Sequence, residues 1–166
     1  MVYDGTVVPS PDSPPDEGRR RLMSRVRQRD TKPEMAVRRA AHAMGFRFRL
    51  QRRDLPGRPD LVFPRLKRAL FVHGCFWHSH AGCKWATVPK SRTEYWDAKL
   101  AANRARDRRV EHALADQGWH VGVIWECDTR NQDTLYLRLR TFLQTELGYA
   151  REPIGHADTV TTEGET

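Results

Sequence analysis

The fold is decided by residues 54–74, DLPGRPDLVFPRLKRALFVHG, in which two turns alternate with two short apolar runs. The prolines and the glycine of DLPGRPD predict a turn, and the LVF that follows predicts a strand. PRLK predicts a second tight turn, and RALFVHG predicts another strand. Neighbouring strands joined in this way place Asp60, just before the first strand, close to Val72 and His73 near the end of the second.

The chain before this segment predicts a helix and then a strand. The sequence TKPE at residues 31–34 is a capping box with a proline in the first turn, so a helix begins there and ends at Gly45. The sequence FRFRLQ at residues 46–51 alternates apolar and basic side chains. This alternation predicts a half-buried strand with one basic face.

The chain after the segment predicts a helix, a strand and a last helix. The sequence SRTE at residues 91–94 is a second capping box, which opens a long helix through about Asp116. WHVGVIWE, residues 119–126, predicts a buried strand, and residues 133–147 predict a helix. The whole order, helix, three strands, helix, strand, helix, predicts an α/β fold with a mixed sheet flanked by helices.

Positive charge is concentrated in the middle of the chain, which carries a net charge of +8. Residues 19–109 contain 25 Lys or Arg and 7 Asp or Glu, whereas residues 1–18 contain four acids and no Lys or Arg. Such a block indicates a protein that binds a polyanion, most often nucleic acid. The alternative is a solvated Arg-rich surface, but a surface of that kind usually mixes charges of both signs.

Both ends of the chain predict disorder around one domain. Residues 1–19 are acidic and rich in proline, and residues 150–166 are acidic and poor in large apolar side chains, so neither segment buries enough surface to offset the entropy of ordering. The domain is expected over residues 20–149. The chain contains no apolar run long enough for a membrane span and no signal peptide, so we predict a cytoplasmic protein whose cysteines are thiols or metal ligands.

Asp60 is the first candidate for a catalytic residue. A carboxylate at the end of a strand suits Mg²⁺, which prefers oxygen ligands and can polarise a phosphodiester and activate a water molecule. Restriction-type nucleases carry a similar Pro-Asp, but they follow it with Glu-x-Lys on the next strand, and this chain has neither residue there. Either the site is not catalytic, or His73 and His78 replace the lysine, because histidine transfers protons near neutral pH.

The loop FVHGCFWHSHAGC, residues 71–83, is the second candidate site. Cysteine thiolates and an imidazole can hold a tetrahedral Zn²⁺ that would fix a loop with little apolar content, and the candidate ligands are Cys75, His80, Cys83 and Cys127. The alternative is that Cys127 is only a small buried apolar residue.

Four aromatic residues stand in or near this loop: Phe76, Trp77, Tyr95 and Trp96. Core packing is the ordinary role of such residues. The functional alternative is a wedge that inserts between base pairs and unstacks them.

Several motifs together resemble one family. DLPGRPD, FVHGCFWH, TEYW, NRARDRR and GWHVGVIWEC are similar to the very short patch repair (Vsr) endonucleases, over a region from about Met23 to Leu147. The resemblance implies a fold like that of restriction endonucleases. It also implies a Mg²⁺-dependent nick in one strand, 5′ to the thymine of a T:G mismatch that arises when 5-methylcytosine deaminates.

The resemblance also implies roles for individual residues. Asp60 would bind magnesium together with the backbone carbonyl of Val72, and Glu34 would help to hold the metal-bound waters. His73 and His78 would be catalytic, one activating water and the other assisting the leaving group. The implied ligands of a structural zinc are Cys75, His80, Cys83 and Cys127. The implied intercalating residues are Phe76, Trp77, Trp96 and Met23.

One of the implied zinc ligands has an alternative. Because the loop is one residue longer than in familiar members of the family, His78 could take the place of His80 as zinc ligand.

The implied partners are double-stranded DNA with a T:G mismatch, mismatch-repair proteins and a cytosine methyltransferase system, and we expect a monomer. Two alternatives stand beside this function: a restriction or modification-dependent endonuclease that cuts paired DNA, and a zinc-stabilised DNA-binding module without activity.

Overall fold

The computed structural model describes residues 29–90 and 92–144. In these residues a mixed four-stranded sheet is combined with three helices. The helices are α1 (Lys32–Ala43), α2 (Thr93–Asp116) and α3 (Gln132–Gln144). The strands are β1 (Arg49–Leu50), β2 (Leu61–Phe63), β3 (Arg68–His73) and β4 (His120–Trp125), with short 3₁₀ turns at Pro64–Leu66 and Glu126–Arg130.

The strand order in the sheet is β1-β2-β3-β4. β2 is antiparallel to both β1 and β3, whereas β4 runs parallel to β3. This arrangement confirms the predicted mixed α/β architecture and the predicted order of elements. The likeness to restriction endonucleases remains a prediction.

Side chains that alternate along the strands form two apolar layers, one on each face of the sheet. On one face Leu61 and Phe63 of β2 pack with residues of α1 and α3. On the other face Val62 packs with Leu114 of α2 and with Trp119. The sheet is therefore the middle layer of three, and its ends, rather than its faces, are left to carry a site.

Two close approaches require glycine. Gly57, in the DLPGRPD turn, has φ +68°, and a Cβ there would lie 2.4 Å from Cγ1 of Val110 on α2. A Cβ on Gly122 of β4 would lie 2.5 Å from a ring carbon of Phe142 on α3. The turn before Asp60 is thus packed directly on α2, which fixes where β2 begins.

The predicted strand at residues 46–51 is reduced to two paired residues. Phe46 and Phe48 do turn inward, with ring centroids 6.2 and 5.8 Å from that of Phe63, but Leu50 is 46% exposed. Because β2 itself has only three residues, it offers a partner strand little length to pair with.

The boundaries of α2 and α3 lie close to the predicted ones. α2 begins at Thr93, after Arg92, whose backbone is left-handed and whose side chain makes no cap hydrogen bond, and it ends at Asp116 as predicted. The predicted cap Ser91 lies outside the described residues. α3 begins at Gln132, where Asn131 Oδ1 accepts a hydrogen bond from Thr134 N at 2.8 Å.

Several predictions lie outside the described residues: the arm 1–19, the tail 150–166, Met23, Ser91, and the end of the last helix at 145–147. Within the described parts of the chain, none of the helices has the length and apolarity needed to cross a membrane.

Candidate active site and metal centre

Asp60 lies at the end of the sheet where β2 begins, beside the last residues of β3. Its Oδ2 accepts a hydrogen bond from Val72 N at 2.7 Å, as the turn-and-strand pattern predicts. Burial raises the pKa of Asp60 to about 6, and the nearby charge of Glu34 acts in the same direction, against the hydrogen bond from Val72 and the charge of Arg38. A buried carboxylate with this preference for its neutral form favours a nearby cation.

Glu34 is buried in the first turn of α1. Its backbone N–H donates to Thr31 Oγ1 at 3.4 Å, which confirms the predicted N-cap. Its carboxylate accepts from Asp30 N at 3.0 Å, from Thr31 Oγ1 at 2.9 Å and from Arg38 Nη2 at 2.9 Å. Thr31 therefore caps the helix, and an ion pair with Arg38 holds Glu34 near Asp60. The role of Glu34 toward metal-bound water stays a prediction.

His73 and His78 form a stacked pair at the end of β3, with ring centroids 3.7 Å apart and ring planes at 11°. His78 Nδ1 lies 2.5 Å from Asp107 Oδ2 on α2. Burial opposes ionisation of Asp107, but the hydrogen bond with His78 and the charges of His78, His73 and Arg106 together outweigh it and leave the pKa of Asp107 below its usual value. Burial, followed by the charge of His78, lowers the pKa of His73 to about 3, so this ring is neutral at physiological pH.

Three side chains of α2 hold consecutive residues of the loop after β3. Asn103 Nδ2 donates to the backbone carbonyl of Trp77 at 2.9 Å, and Arg104 Nη1 donates to Ser79 Oγ at 2.9 Å. Asp107 contacts His78 between them. Residues one helical turn apart share a face, which explains the spacing of the three contacts.

Sequence analysis did not single out Asp107. A signal for it exists, since Asp107 is the sole acid of the basic run NRARDRR, residues 103–109, on a predicted helix. Its partner His78 is 29 positions away, however, and no local pattern relates the two.

The ligand atoms of His73, His78 and Asp107 lie within 4.8 Å of one another, which is close enough for a shared metal ion. The stacking of the rings argues against one. An imidazole nitrogen binds metal in the plane of its ring, and two nearly parallel planes do not converge on one ion. The arrangement suits proton transfer better than metal binding.

The second cluster has the opposite geometry, since its ligand atoms converge. His80 Nδ1 lies 3.6 Å from Cys75 Sγ and 3.4 Å from Cys127 Sγ, and the cluster Cys75, His80, Cys83 and Cys127 lies within 4.8 Å. A tetrahedral zinc ion with ordinary Zn–S and Zn–N bonds separates sulfur from nitrogen by about 3.5 Å. The four residues therefore fit a metal ion, and His78 is not among them.

The protonation of the thiols agrees with this interpretation. The three cysteines are free, as predicted. Burial and the neighbouring Cys75 raise the pKa of Cys127 to about 12. Burial also raises the pKa of Cys75, whereas at Cys83 burial is outweighed by hydrogen bonds from the backbone N–H of Trp85 and from the neighbouring thiols, which lower the pKa of Cys83. A bound divalent ion would stabilise the thiolates of Cys75 and Cys127, which resist ionisation without it.

The aromatic residues form one cluster beside the histidine pair. The Phe76 ring lies 5.0 Å from that of Trp77 and 5.2 Å from that of Trp96. Trp96 is only 5% exposed, whereas Tyr95 is 37% exposed, with the cations of Arg92 and Lys99 at 5.2 and 5.8 Å from its ring. Phe76 and Trp77 are half-buried on top of Trp96, and intercalation by any of them remains a prediction.

Most of the chain is similar to known proteins. Residues 12–84 match the family model for the DNA mismatch endonuclease Vsr. The type II nicking enzyme V.XorIIP of Xanthomonas oryzae pv. oryzae is 55% identical over 127 residues, which cover 76% of this chain and 93% of that protein. The DNA mismatch endonuclease Vsr of Escherichia coli K12 is 40% identical over 117 residues, covering 70% and 74%.

A more distant relative shows the same relation over a longer stretch. The type II nicking enzyme V.NaeI of Lentzea aerocolonigenes is 36% identical over 145 residues, covering 82% of this chain and 84% of that protein. These identities extend over most of both chains, and the family match includes the cluster residues from His73 through Cys83 but not Asp107 and Cys127. The chain therefore belongs to the Vsr family and is a DNA endonuclease.

Proposed function

We propose that this endonuclease nicks one strand of duplex DNA, in a magnesium-dependent reaction, on the 5′ side of the thymine in a T:G mismatch. The nick would initiate very short patch repair. The observation that supports this proposal best is that the partly buried carboxylate of Asp60 is hydrogen-bonded to Val72 N, next to His73, whose stacked partner His78 contacts Asp107. A nuclease needs a place for a cation and a group that takes a proton from water, and these residues offer a candidate for each.

Asp60 and the backbone carbonyl of Val72 are the proposed ligands of Mg²⁺. The partly buried Asp60 carboxylate, whose pKa is raised to about 6, and the nearby charge of Glu34 make this position suitable for a hard divalent cation. When bound, Mg²⁺ supplies polarisation of the scissile phosphate and compensates the negative charge that develops there.

His78 is the proposed general base. Asp107 is ionised and can only accept a hydrogen bond, so Nδ1 of His78 carries the proton between them. Nε2 of the same ring is then an acceptor for the proton of an attacking water. Asp107 would stabilise the imidazolium that forms, as a carboxylate does in other histidine dyads. His73, stacked on His78 and neutral, would be the second catalytic histidine, which assists the leaving group.

Phe76 and Trp77 are the side chains proposed to insert between base pairs, because they are half-buried, pack against Trp96 and precede His78 in sequence. Unstacking costs less at a mismatch than at a paired step, so a wedge favours the mismatch. The surrounding Lys and Arg residues would contact the DNA backbone. Cys75, His80, Cys83 and Cys127 would hold a structural Zn²⁺ that fixes the loop carrying the wedge and His78.

A restriction-type endonuclease that cuts paired DNA remains the main alternative. The names of the relatives, nicking enzymes and a mismatch endonuclease, favour a single-strand nick at a mismatch. Mismatch-repair proteins, a cytosine methyltransferase and a monomeric state stay predictions.

The test is a nicking assay on duplexes that differ at one position only. The duplexes carry T:G, U:G, C:G or methyl-C:G in several flanking sequences, with and without Mg²⁺. We expect magnesium-dependent nicking of the T:G duplex alone, in the strand that carries the thymine. Cleavage of the C:G or methyl-C:G duplex at a similar rate would instead favour the restriction-type alternative.

A further inference from the structure

We infer that Trp125 is a positioning residue that couples the metal-binding His80 to the catalytic His73. The inference rests on the proposed function and extends it: the metal cluster orients the catalytic histidines in addition to fixing the loop. Nothing in the sequence motifs separates this tryptophan from an ordinary core residue.

Four rings lie in contact between the two clusters. The His80 ring is stacked on Trp125, with centroids 4.1 Å apart and planes at 1°. Trp125 meets His73 edge to face, at 5.5 Å and 74°. His73 is in turn stacked on His78 at 3.7 Å. The series begins at a proposed zinc ligand and ends at the ring bound to Asp107.

Trp125 is itself held in place from several directions. It is the last residue of β4 and lies directly beside His73 in the parallel pairing of β3 and β4. Its backbone N–H donates to Asp128 Oδ2 at 3.0 Å, and the buried Asp128 lies 3.9 Å from the guanidinium of Arg138. The backbone of Trp125 is therefore fixed, and its indole is held on one side by the His80 ring while it meets His73 on the other, which is what a positioning group requires.

The histidine rings have room to move if this support is lost. A cavity of about 320 Å³ borders His73, His78, His80 and Trp125. Without the indole, the His73 ring could turn toward that space and away from His78. Misplacement of a reacting group by about 1 Å can lower a rate on the order of 10²-fold.

Coupling through the backbone is the alternative explanation, because Cys75 follows His73 by two positions. In that case any variant that keeps its zinc should keep its rate. Coupling through the rings predicts a loss of rate with zinc still bound, and this difference makes the inference testable.

The decisive variant is His80→Cys. A site of four cysteines binds structural zinc as well as one of three cysteines and a histidine, so the metal is retained while the stacked ring is lost. Trp125→Leu removes the indole, and Trp125→Phe restores a ring at the same position. Trp85→Leu is the matched control, because Trp85 is exposed and its ring packs on Arg130 at 3.8 Å, outside the four-ring series.

Four quantities are measured for each full-length variant: zinc content, melting temperature, dissociation constant for a T:G duplex, and the single-turnover nicking rate with saturating Mg²⁺. The His73 ring proton resonances are recorded by NMR as a readout independent of activity. For His80→Cys and Trp125→Leu we expect a rate lower by on the order of tenfold to hundredfold, with zinc and DNA affinity unchanged. Trp125→Phe should recover part of the rate, and Trp85→Leu should match the wild type.

In His80→Cys the His73 resonances should also shift, since the indole that faces His73 is no longer held by its stacking partner. Zinc-loaded His80→Cys and Trp125→Leu proteins that nick within twofold of the wild type would overturn the inference. So would a loss of rate proportional to lost zinc across the series. If Trp125→Leu does not fold, His80→Cys and Trp125→Phe decide alone. Failure of the proposed function is distinguishable, because the wild type itself would then not nick.

Discussion

The two clusters in the loop of residues 73–83 use histidine in opposite ways. His80 directs Nδ1 at two thiols, 3.6 and 3.4 Å away, so its ligand atoms converge on a point. His78 instead lies parallel to His73 and pairs with Asp107, so its ring is oriented but shares no common point for a metal. The distant partner, Cys127 in one case and Asp107 in the other, therefore decides what each histidine does.

Loss of His78 from the histidine pair should lower the nicking rate more than the other substitutions below. His78→Ala should lower the single-turnover nicking rate on the order of 10²- to 10⁴-fold, because it removes the proposed general base. Zinc content and DNA affinity should not change, since His78 lies outside the thiol cluster. Loss of zinc from this variant would instead identify His78 as the fourth ligand.

Loss of a zinc ligand should instead change zinc binding and stability directly, and nicking only as a consequence. Cys127→Ser should abolish stoichiometric zinc binding and lower the melting temperature by several degrees, because the metal contributes its binding free energy to folding. Nicking should fall as a consequence of the disturbed loop. Thermal denaturation and a colorimetric zinc assay check this prediction. A zinc-free Cys127→Ser protein with wild-type stability would contradict the structural role of the cluster.

A substitution of Asp107 tests whether its contact with His78 serves catalysis. Asp107→Asn keeps the size of the side chain but removes the charge that orients and stabilises His78, so we expect a rate lower by on the order of 10²-fold or more. Asp116→Asn, at the exposed end of the same helix, is the matched control. Equal rates for the two variants would show that the contact with His78 does not serve catalysis.

The smallest effect concerns stability rather than rate. The carboxyl of Asp60 has a folded-state pKa of about 6, above its ordinary value of 3.8. The folded state therefore binds its proton more tightly, and stability is lost as pH rises from about 4 to 6. Above that range the buried charge costs about 1–3 kcal/mol.

Asp60→Asn removes this charge. Without added magnesium, the variant should be more stable than the wild type at pH 8, and the difference should vanish near pH 4. Denaturant unfolding at both pH values measures it. A variant that is less stable at pH 8 would show that Asp60 is stabilised as a carboxylate by its surroundings.

Local sequence patterns predicted much of the fold and of the candidate site. The turn-strand-turn-strand pattern placed Asp60 beside Val72, and the capping box started α1 at the observed residue. The grouping of His80 with Cys75, Cys83 and Cys127 was also predicted, because thiols and an imidazole suit a metal ion that fixes a loop with little apolar content.

The rest depended on contacts between distant residues. Asp107 and Trp125 reach the histidines from α2 and β4, and neither has a spacing relative to residues 73–80 that a local pattern could reveal. The short β1 likewise follows from the length of β2, its partner, rather than from its own alternating side chains.

We propose that Asp60 and the histidine pair form one magnesium-dependent nicking site. The most direct test compares the wild type with Asp60→Asn on a T:G duplex, measuring binding and single-turnover nicking on the same samples with Mg²⁺. We predict that both proteins bind the duplex with similar affinity and that the rate of the variant is lower by on the order of 10³-fold. An Asp60→Asn protein that nicks at the wild-type rate would contradict the account.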